Sequence, residues 1–398
     1  MTAPPPRPLP RIPRDRADDH AAAVVAQRRA LCEGAAGRPL EHLAGRPVPS
    51  AEAAGKVENL IGFAQVPVGI AGPLSVDASD GPLEVYVPMA TTEGAMVASY
   101  SRGMRLLREG GPTRSRVVRE GLSQHPILVY PDGAAAERAA RWTLAHAERL
   151  RAIVAATTRH GALVAVEPET IGRRLLVRLV FTTGDAIGIN MAARATEECS
   201  AAIASETGAQ ARYVHGQDVE KRANARALVE GRGRSVQAEA VVPRAALAEL
   251  ARSTPEELVA IARTYAVGYA QLGTQNWLVQ AANGLAAVML ACGQDVAYLT
   301  ECATGHLDFD VTTGGDLYAS VALPSLVVGT VGGGALQGTA RECLAILGCE
   351  GDGGAHRFAE ILGATVLAGD LSLMAAFTSH EFVAAHERLG RNRPPSAP

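Results

Sequence analysis

Several ionisable side chains occupy positions from which they could act on a bound substrate. Glu93 follows two threonines and precedes an Ala/Met/Val run that carries Arg102 and Arg105. This order is typical of a helix N-terminus, where threonine caps the helix and glutamate lies at the positive end of its dipole. It equally suits an active-site acid, with two arginines on the following helix facing phosphate groups. The local pattern leaves both interpretations open.

A second carboxylate, Asp295, follows the most apolar stretch of the chain. This stretch, WLVQAANGLAAVMLACGQD (residues 277–295), carries Asn283 as its one strongly polar side chain between residues 281 and 292. A helix that is apolar on all faces belongs inside a core, and the run is shorter than the roughly 20 apolar residues that a membrane span needs. The pattern predicts a buried helix that either presents a carboxylate to a site or simply ends at Asp295.

Two short segments have the character of phosphate-binding loops. GDAIGIN (residues 184–190) joins a predicted strand to a predicted helix, and Thr158, Arg159 and His160 end an earlier predicted helix. Backbone amides at such a junction can bind phosphate. No GxGxxG follows a predicted strand, so a dinucleotide would not use the Rossmann fingerprint.

The remaining candidate groups give weaker signals. Asp308 and Asp310 lie in HLDFD, which we expect to be a loop, and two carboxylates at this spacing are more often solvated than bound to a metal. His380 and His386 follow the last predicted helix, where a lone histidine is usually on the surface. We therefore predict no metal site.

The elements that would position these groups form a mixed fold. Between residues 116 and 213 the pattern gives strands at 127–130, 162–166 and 174–181, with helices through 134–155 and from about 190. About 100 residues suit an inserted α+β domain. We expect an α+β or α/β multidomain protein with disordered residues 1–18 and 389–398, a helical leader at 19–50, and a large domain at 51–115 and 214–388 around the central helix.

Composition narrows the class of protein. The 398 residues are 47% hydrophobic and carry a net charge of −3, so a large core is expected and nothing favours a nucleic-acid partner. The six cysteines show no metal-ligand spacing, which indicates reduced thiols. The Pro/Arg-rich N-terminus has no apolar signal-peptide core. We expect a cytoplasmic protein without a membrane anchor.

Taken together, the segments resemble the catalytic portion of 3-hydroxy-3-methylglutaryl-coenzyme A (HMG-CoA) reductase, in a soluble, class I-like form. The similarity runs from about residue 12 to 386, in the family's order and spacing. Its segments are ENLIGFAQVPVGIAGPL (58–74), PMATTEGAMVASYSRG (88–103), GDAIGINM (184–191), VEGRGRSVQAEAVVP (229–243), QAANGLAAVMLACGQD (280–295), LPSLVVGTVGGG (323–334) and AGDLSLMAAF (368–377).

The resemblance implies an NADPH-dependent enzyme that reduces HMG-CoA to mevalonate and coenzyme A, using two NADPH per turnover. Lys221 matches the cation that stabilises the oxyanion, Glu93 the proton donor, and Asp295 the carboxylate between them. His386 matches the histidine that protonates the coenzyme A thiolate. In this fold a small ferredoxin-like NADPH-binding domain is inserted in the large domain, and family members form homodimers, or tetramers built from dimers, with active sites between subunits.

The resemblance also implies binding residues. The cofactor set is Thr158, Arg159, Asp185, Gly188, Asn190, Gly332 and Gly333. The substrate and coenzyme A set is Asn59, Arg102, Arg105, Arg114, Arg222, Arg263 and Asn283, with Arg114 as the arginine for the acyl carboxylate.

The chain departs from the family mostly where the acyl group would bind. Arg222 and Arg263 stand where lysine is usual, and arginine differs from lysine in reach and geometry. Ala227, Leu278 and Gln280 replace polar or aromatic residues, and about seven residues are added near 305–313. Two alternatives therefore stay open: a reductase of another acyl-CoA or carrier-bound thioester, and a non-catalytic coenzyme A-binding protein.

Overall fold

The computed structural model describes residues 8–15, 17–216, 219–274 and 276–379. Its helices are α1 Ala22–Ala36, α2 Met96–Glu109, α3 Gly133–Ala145, α4 Ala147–Thr157, α5 Ile189–Thr207, α6 Ala227–Glu230, α7 Arg244–Ala251, α8 Pro255–Leu272, α9 Ala281–Ala291, α10 Leu299–Cys302, α11 Gly338–Ile346 and α12 Gly354–Thr378. Its strands are β1 Val68–Ala78, β2 Gly81–Ala90, β3 Thr113–Gln124, β4 Ile127–Val129, β5 Leu163–Ile171, β6 Arg174–Phe181, β7 Ala211–Tyr213, β8 Gly233–Val242, β9 His306–Val311 and β10 Leu317–Leu326.

Strand β3 connects the two halves of the sheet. The strand order is β7-β4-β6-β3-β8-β10-β9, with β1 beside β2 and β3, and β5 beside β6. Residues 114–121 of β3 pair with β8, and its last three residues pair with β6. The chain between β3 and β8 thus forms an α+β unit of short strands and α3 to α5. The predicted domain boundary at residue 116 falls inside β3, so one strand belongs to both units.

Helix α12 is the core element of the larger half. It packs against β8, β3, β10 and β1 on one side, and against α2, α8 and α9 elsewhere. By length and composition it could cross a membrane, but 83% of its most apolar window is buried inside the protein. Its apolar surface is therefore already covered, as in the core helix of a folded domain.

Helix α9 is the central helix that the sequence predicted, with two differences. It begins at Ala281, so residues 277–280 are not helical, and it ends before Asp295. It is also open on one side, because Ala282, Asn283 and Leu290 are exposed. The prediction that this helix is buried on all faces was wrong, and Asn283 is not a buried polar group.

Other local predictions need correction. HLDFD is not a loop but most of β9, which pairs antiparallel with β10. The helix expected through 134–155 is broken at His146 into α3 and α4. Residues 8–15, expected to be disordered, lie on the body of the protein, since the Tyr86 hydroxyl donates a 2.6 Å hydrogen bond to the Pro10 carbonyl and Ile12 packs on a small buried cluster.

A buried carboxylate from α12 holds the two residues that precede α9. Asp370 is fully buried, and its oxygens accept the N–H groups of Val279 at 3.0 Å and Gln280 at 2.9 Å. Burial raises the pKa of Asp370 from 3.8 to about 6, although the two hydrogen bonds act in the opposite direction. Between these values the folded protein retains a proton that the unfolded chain has released. This group's contribution to stability therefore falls as the pH rises, by up to about 1.4 kcal/mol per pH unit.

We predict that Asp370→Asn changes the pH dependence of the unfolding free energy. Relative to the variant, the parent should lose stability as the pH rises from about 4 to about 6, because asparagine does not titrate and only the parent loses a proton there. Above about pH 6 the Asp370 carboxyl group is ionised in both the folded and the unfolded chain, so the difference should change no further. Urea unfolding across this range measures the difference. Asp352→Asn, at an exposed acid, is the control. A parent-to-variant difference that is constant with pH would contradict the assignment.

Candidate functional site

Lys221 and Asp295 meet in an ion pair at the surface. The Lys221 Nζ lies 2.7 Å from the Asp295 Oδ2, and the two side chains are 40% and 44% exposed. Asp295 is fixed in place because its Oδ1 accepts the Ala297 N–H at 3.0 Å, at the start of a short 3-10 helix. A cation held by a carboxylate and still open to solvent can face a developing negative charge on a substrate.

A second group of side chains, which sequence reasoning missed, surrounds this ion pair. The Lys221 N–H donates to the Glu301 Oε1 at 2.7 Å, and the Arg232 Nη1 lies 3.0 Å from both Glu301 oxygens. Burial raises the pKa of Glu301, and the charge of Arg232 opposes that shift. The one sequence signal is that Arg232 lies within the EGRG segment already matched to the family.

The Tyr298 ring contacts both cations of this group. Its ring lies 4.8 Å from the Lys221 Nζ and 5.9 Å from the Arg232 Cζ. Its hydroxyl donates to Glu220, whose other carboxylate oxygen lies 3.6 Å from the Arg232 Nη2. Burial, and then the hydrogen bond to the Glu220 carboxylate, raise the pKa of Tyr298. The tyrosine therefore stays a neutral donor, and its ring faces the lysine cation.

Glu93 lies in a different place, in the wall of a large cavity. The cavity has a volume of about 720 Å³ and is lined by Glu93, by Asn283 and by arginines that include Arg105 and Arg108. Glu93 precedes α2, which starts at Met96 with Ala95 at its N-cap. The helix-cap interpretation of the Thr-Thr-Glu segment was therefore wrong: the Thr91 Oγ1 accepts the Glu93 N–H within the loop itself.

Arg102 also lines this cavity, but its guanidinium is bonded to α12. Its Nε donates to the Ser372 Oγ at 3.0 Å and its Nη2 to the Ser372 carbonyl at 2.7 Å. The guanidinium thus ties α2 to α12. Arg105, one turn further along α2, is exposed and lines the cavity, as expected for an anion-binding side chain.

Helix α9 separates the two groups of candidate residues. Asn283 and Glu93 line the cavity at its N-terminal end, whereas Asp295 follows its C-terminal end. An 11-residue helix is about 16 Å long. Within one chain, Glu93 and the Lys221–Asp295 pair thus lie toward opposite ends of this helix.

The predicted cofactor segments come together elsewhere on the surface. The Asp185 carbonyl accepts the N–H groups of Thr330 at 2.8 Å and Val331 at 3.2 Å, which joins the 184–190 loop to the glycine-rich loop 329–334. Gly332 and Gly333 have φ angles of +83° and +54° with open space where a Cβ would point. Such bare backbone suits close approach by a phosphate-bearing ligand.

The Asp185 carboxylate has a structural partner. Its oxygens accept the N–H groups of Gly353 at 3.0 Å and Ala355 at 2.9 Å, at the first turn of α12. Nearby, Asn190 is exposed in the first turn of α5, and Arg159 is exposed just after α4. The sequence assigned Asp185 to the cofactor, but the structure shows its side chain capping a helix.

The structure does not bring every predicted residue to these places. Arg114 pairs with Glu239 at 2.8 Å, near the far end of β8 and about 20 Å along that strand from Arg232. Within one chain it does not join the Lys221 group, because the residue of β3 that bonds Arg232 is Ser123. Asn59 and Arg263 are exposed in a loop and on α8, and Arg222 bonds the carbonyls of its own loop. His386 lies outside the described residues.

Comparison with known proteins decides the family. The family described as hydroxymethylglutaryl-coenzyme A reductase matches residues 24–391. The 3-hydroxy-3-methylglutaryl-coenzyme A reductase of Pyrococcus horikoshii is 39% identical over 376 residues, covering 92% of this chain and 91% of the relative. The chain belongs to the hydroxymethylglutaryl-coenzyme A reductase family. The reductase of Haloferax volcanii, 38% identical over 371 residues and 92% covered on both sides, is similar to the same extent.

Solved structures of this family share the fold. A class II reductase from Streptococcus pneumoniae, determined with NADPH bound in open conformations, aligns with a TM-score of 0.72 over 88% of this chain and 96% of that chain. The two sequences are 18% identical. The prediction of a mixed α and β reductase fold is confirmed.

Two departures from the family pattern are explained by packing. Leu278 is a core residue, next to the point where Gly305 approaches the Ala322 carbonyl. Gln280 is 6% exposed, and its Nε2 donates to the Gly369 carbonyl and to the Ser99 Oγ at 3.4 Å. The Gln280 side chain is therefore held by α2 and α12 at the wall of the cavity, and Leu278 packs in the core.

We predict that Asp185→Ala lowers the unfolding free energy by about 1 kcal/mol, because two N–H groups at the start of α12 lose their acceptor. Hydrogen exchange at Gly353 and Ala355 should accelerate. Asp352→Ala removes an acid beside the same helix end and is the control for charge alone. Equal exchange rates in the two variants would contradict the capping role.

Proposed function

We propose that this protein reduces HMG-CoA to mevalonate and coenzyme A with two equivalents of NADPH. Family membership gives the reaction, and the 2.7 Å contact between Lys221 and Asp295 is the observation that supports catalysis by this chain. The lysine is held by a carboxylate and remains open to solvent, as a group that stabilises an oxyanion on a substrate must be. NADPH, when bound, supplies the hydride in both reductive steps.

Lys221 would act on the oxygen of the reacting carbonyl. Hydride addition to the thioester carbon places negative charge on that oxygen, and an ammonium group fixed at hydrogen-bond distance stabilises it. Asp295 holds Nζ in position and balances its charge. When the C–S bond breaks, the coenzyme A thiolate leaves and an aldehyde remains. The second hydride addition again places charge on the oxygen, and an acid must then protonate the alkoxide.

Glu93 and His386 are the proposed proton donors, by resemblance to the family. Glu93 would protonate the developing alcohol, and His386 the departing thiolate. The cavity beside Glu93 suits the coenzyme A part of the substrate, because Arg105 and Arg108 line it together with apolar residues of α12. Two cations near an open cavity match the negatively charged phosphates of coenzyme A.

The cofactor would bind where the 184–190 and 329–334 loops join. The glycine conformations there leave room for a ligand against bare backbone, and Arg159 is exposed at the end of α4. An exposed arginine suits a 2′-phosphate, which favours NADPH over NADH. We propose residues 116–213 as the small NADPH-binding domain, with the glycine-rich loop supplied by the larger half.

We propose a homodimer with active sites between the subunits. Support comes from the separation of about 16 Å between the ends of α9. Because the Lys221–Asp295 pair and Glu93 lie toward opposite ends of that helix, a complete site needs Glu93 from one copy and the pair from another. Each dimer would then contain two composite sites.

Steady-state assays test the reaction. We predict HMG-CoA-dependent loss of NADPH absorbance with two NADPH consumed per mevalonate formed. Lys221→Ala should lower kcat by about 10²–10³-fold, as for other losses of an oxyanion donor. Lys56→Ala, at an exposed lysine in a loop, should leave the rate unchanged. Turnover of another acyl thioester but none of HMG-CoA would contradict the proposed substrate.

A mixing experiment tests the composite site. We predict that Glu93→Gln and Lys221→Ala are each inactive, and that a refolded equal mixture regains about a quarter of the parental activity. Half of the dimers are then hybrid, and each hybrid has one intact site of two. The refolded parent gives the reference rate. A mixture as inactive as its components would show that both groups act within one chain.

A further inference from the structure

The main chain of Lys221 has an unusual conformation. Its φ is +55°, in the left-handed region that costs an L-residue about 1 kcal/mol. The surrounding structure must therefore hold it there. The contact that does so is the 2.7 Å hydrogen bond from the Lys221 N–H to the Glu301 Oε1.

Glu301 is itself held by a buried arginine. The Glu301 and Arg232 side chains are 0% and 1% exposed, and the Arg232 Nη1 contacts both carboxylate oxygens at 3.0 Å. Arg232 is anchored on both sides: its Nε donates to the Ser123 carbonyl of β3, and its N–H to the Ser325 Oγ of β10. The rigid sheet thus fixes the position of the carboxylate.

Stability alone does not account for this pair. Replacing a buried ion pair with apolar side chains of similar volume is often neutral or stabilising, because desolvation of two charges offsets their attraction. The carboxylate has, however, an additional contact that no apolar side chain reproduces, the bond to the Lys221 main chain.

We propose that the Arg232–Glu301 pair is a positioning device for Lys221. The carboxylate fixes the left-handed backbone, and that backbone directs the side chain across the Tyr298 ring to Asp295. Arg232 and Glu301 do not contact the substrate; they act through the lysine. This proposal rests on the proposed function, in which Lys221 faces the carbonyl oxygen of the substrate.

Two matched double variants isolate the hydrogen bond from the charge. Arg232→Met with Glu301→Gln removes both charges and keeps an acceptor for the Lys221 N–H. Arg232→Met with Glu301→Met removes both charges and the acceptor. We expect similar affinities for NADPH, while kcat with HMG-CoA is at least about 10-fold lower in the second variant, a loss within the range for a misplaced catalytic group. KM should change less than kcat.

Equal kcat values in the two folded variants would overturn the proposal. If either variant fails to fold, hydrogen exchange of the parent decides: the Lys221 amide should exchange more slowly than the neighbouring amide of Asn224, and equally fast exchange would overturn the proposal. The proposed function fails separately, if the parent does not oxidise NADPH with HMG-CoA or if Lys221→Ala retains the parental rate.

Discussion

The close packing of α2, α9 and α12 is the constraint on which the rest of the structure depends. The three helices meet at Tyr100, which is fully buried and whose hydroxyl donates to the Gln280 carbonyl at 2.8 Å. A Cβ at Gly284 or Gly369 would lie within 2.5 Å of this ring. Small residues therefore set the distance between the helices, and interiors packed this densely transmit any change in volume to their neighbours.

The two halves of the proposed site are positioned in different ways. The cavity beside Glu93 is shaped directly by α2 and α12, whose side chains line it. Asp295 is placed by the end of α9 and the short helix that follows it. Lys221, in contrast, lies in a loop outside the helix cluster, and polar contacts with Glu301, Tyr298 and Asp295 hold it there. Helix packing fixes the shape of the cavity beside Glu93, and hydrogen bonds and ion pairs fix the position of Lys221.

Carboxylates recur at the points where elements meet. Asp370 accepts the N–H groups of the two residues before α9, Asp185 those at the start of α12, and Glu301 that of Lys221. Each satisfies backbone donors that would otherwise be unpaired at a chain junction. A helix N-terminus also favours negative charge through its dipole. Acidic side chains thus join α9, the 184–190 loop and the Lys221 loop to their neighbouring elements.

The sequence by itself determined the family, the central apolar helix and the strands β4, β5 and β6, because periodicity and motif order depend on short stretches of chain. It also identified Lys221 and Asp295 as partners, through resemblance. It did not determine which acids hold backbone N–H groups: Asp185 and Asp370 look alike in sequence, and their partners lie 170 and 90 residues away. Only the tertiary structure decided that Arg114 pairs with Glu239, that HLDFD forms a strand, and that Glu301 bonds both Arg232 and the Lys221 main chain. The physical reason is that hydrogen bonds and ion pairs depend on distances in space, and those distances exist only once the sheet and the three helices have packed.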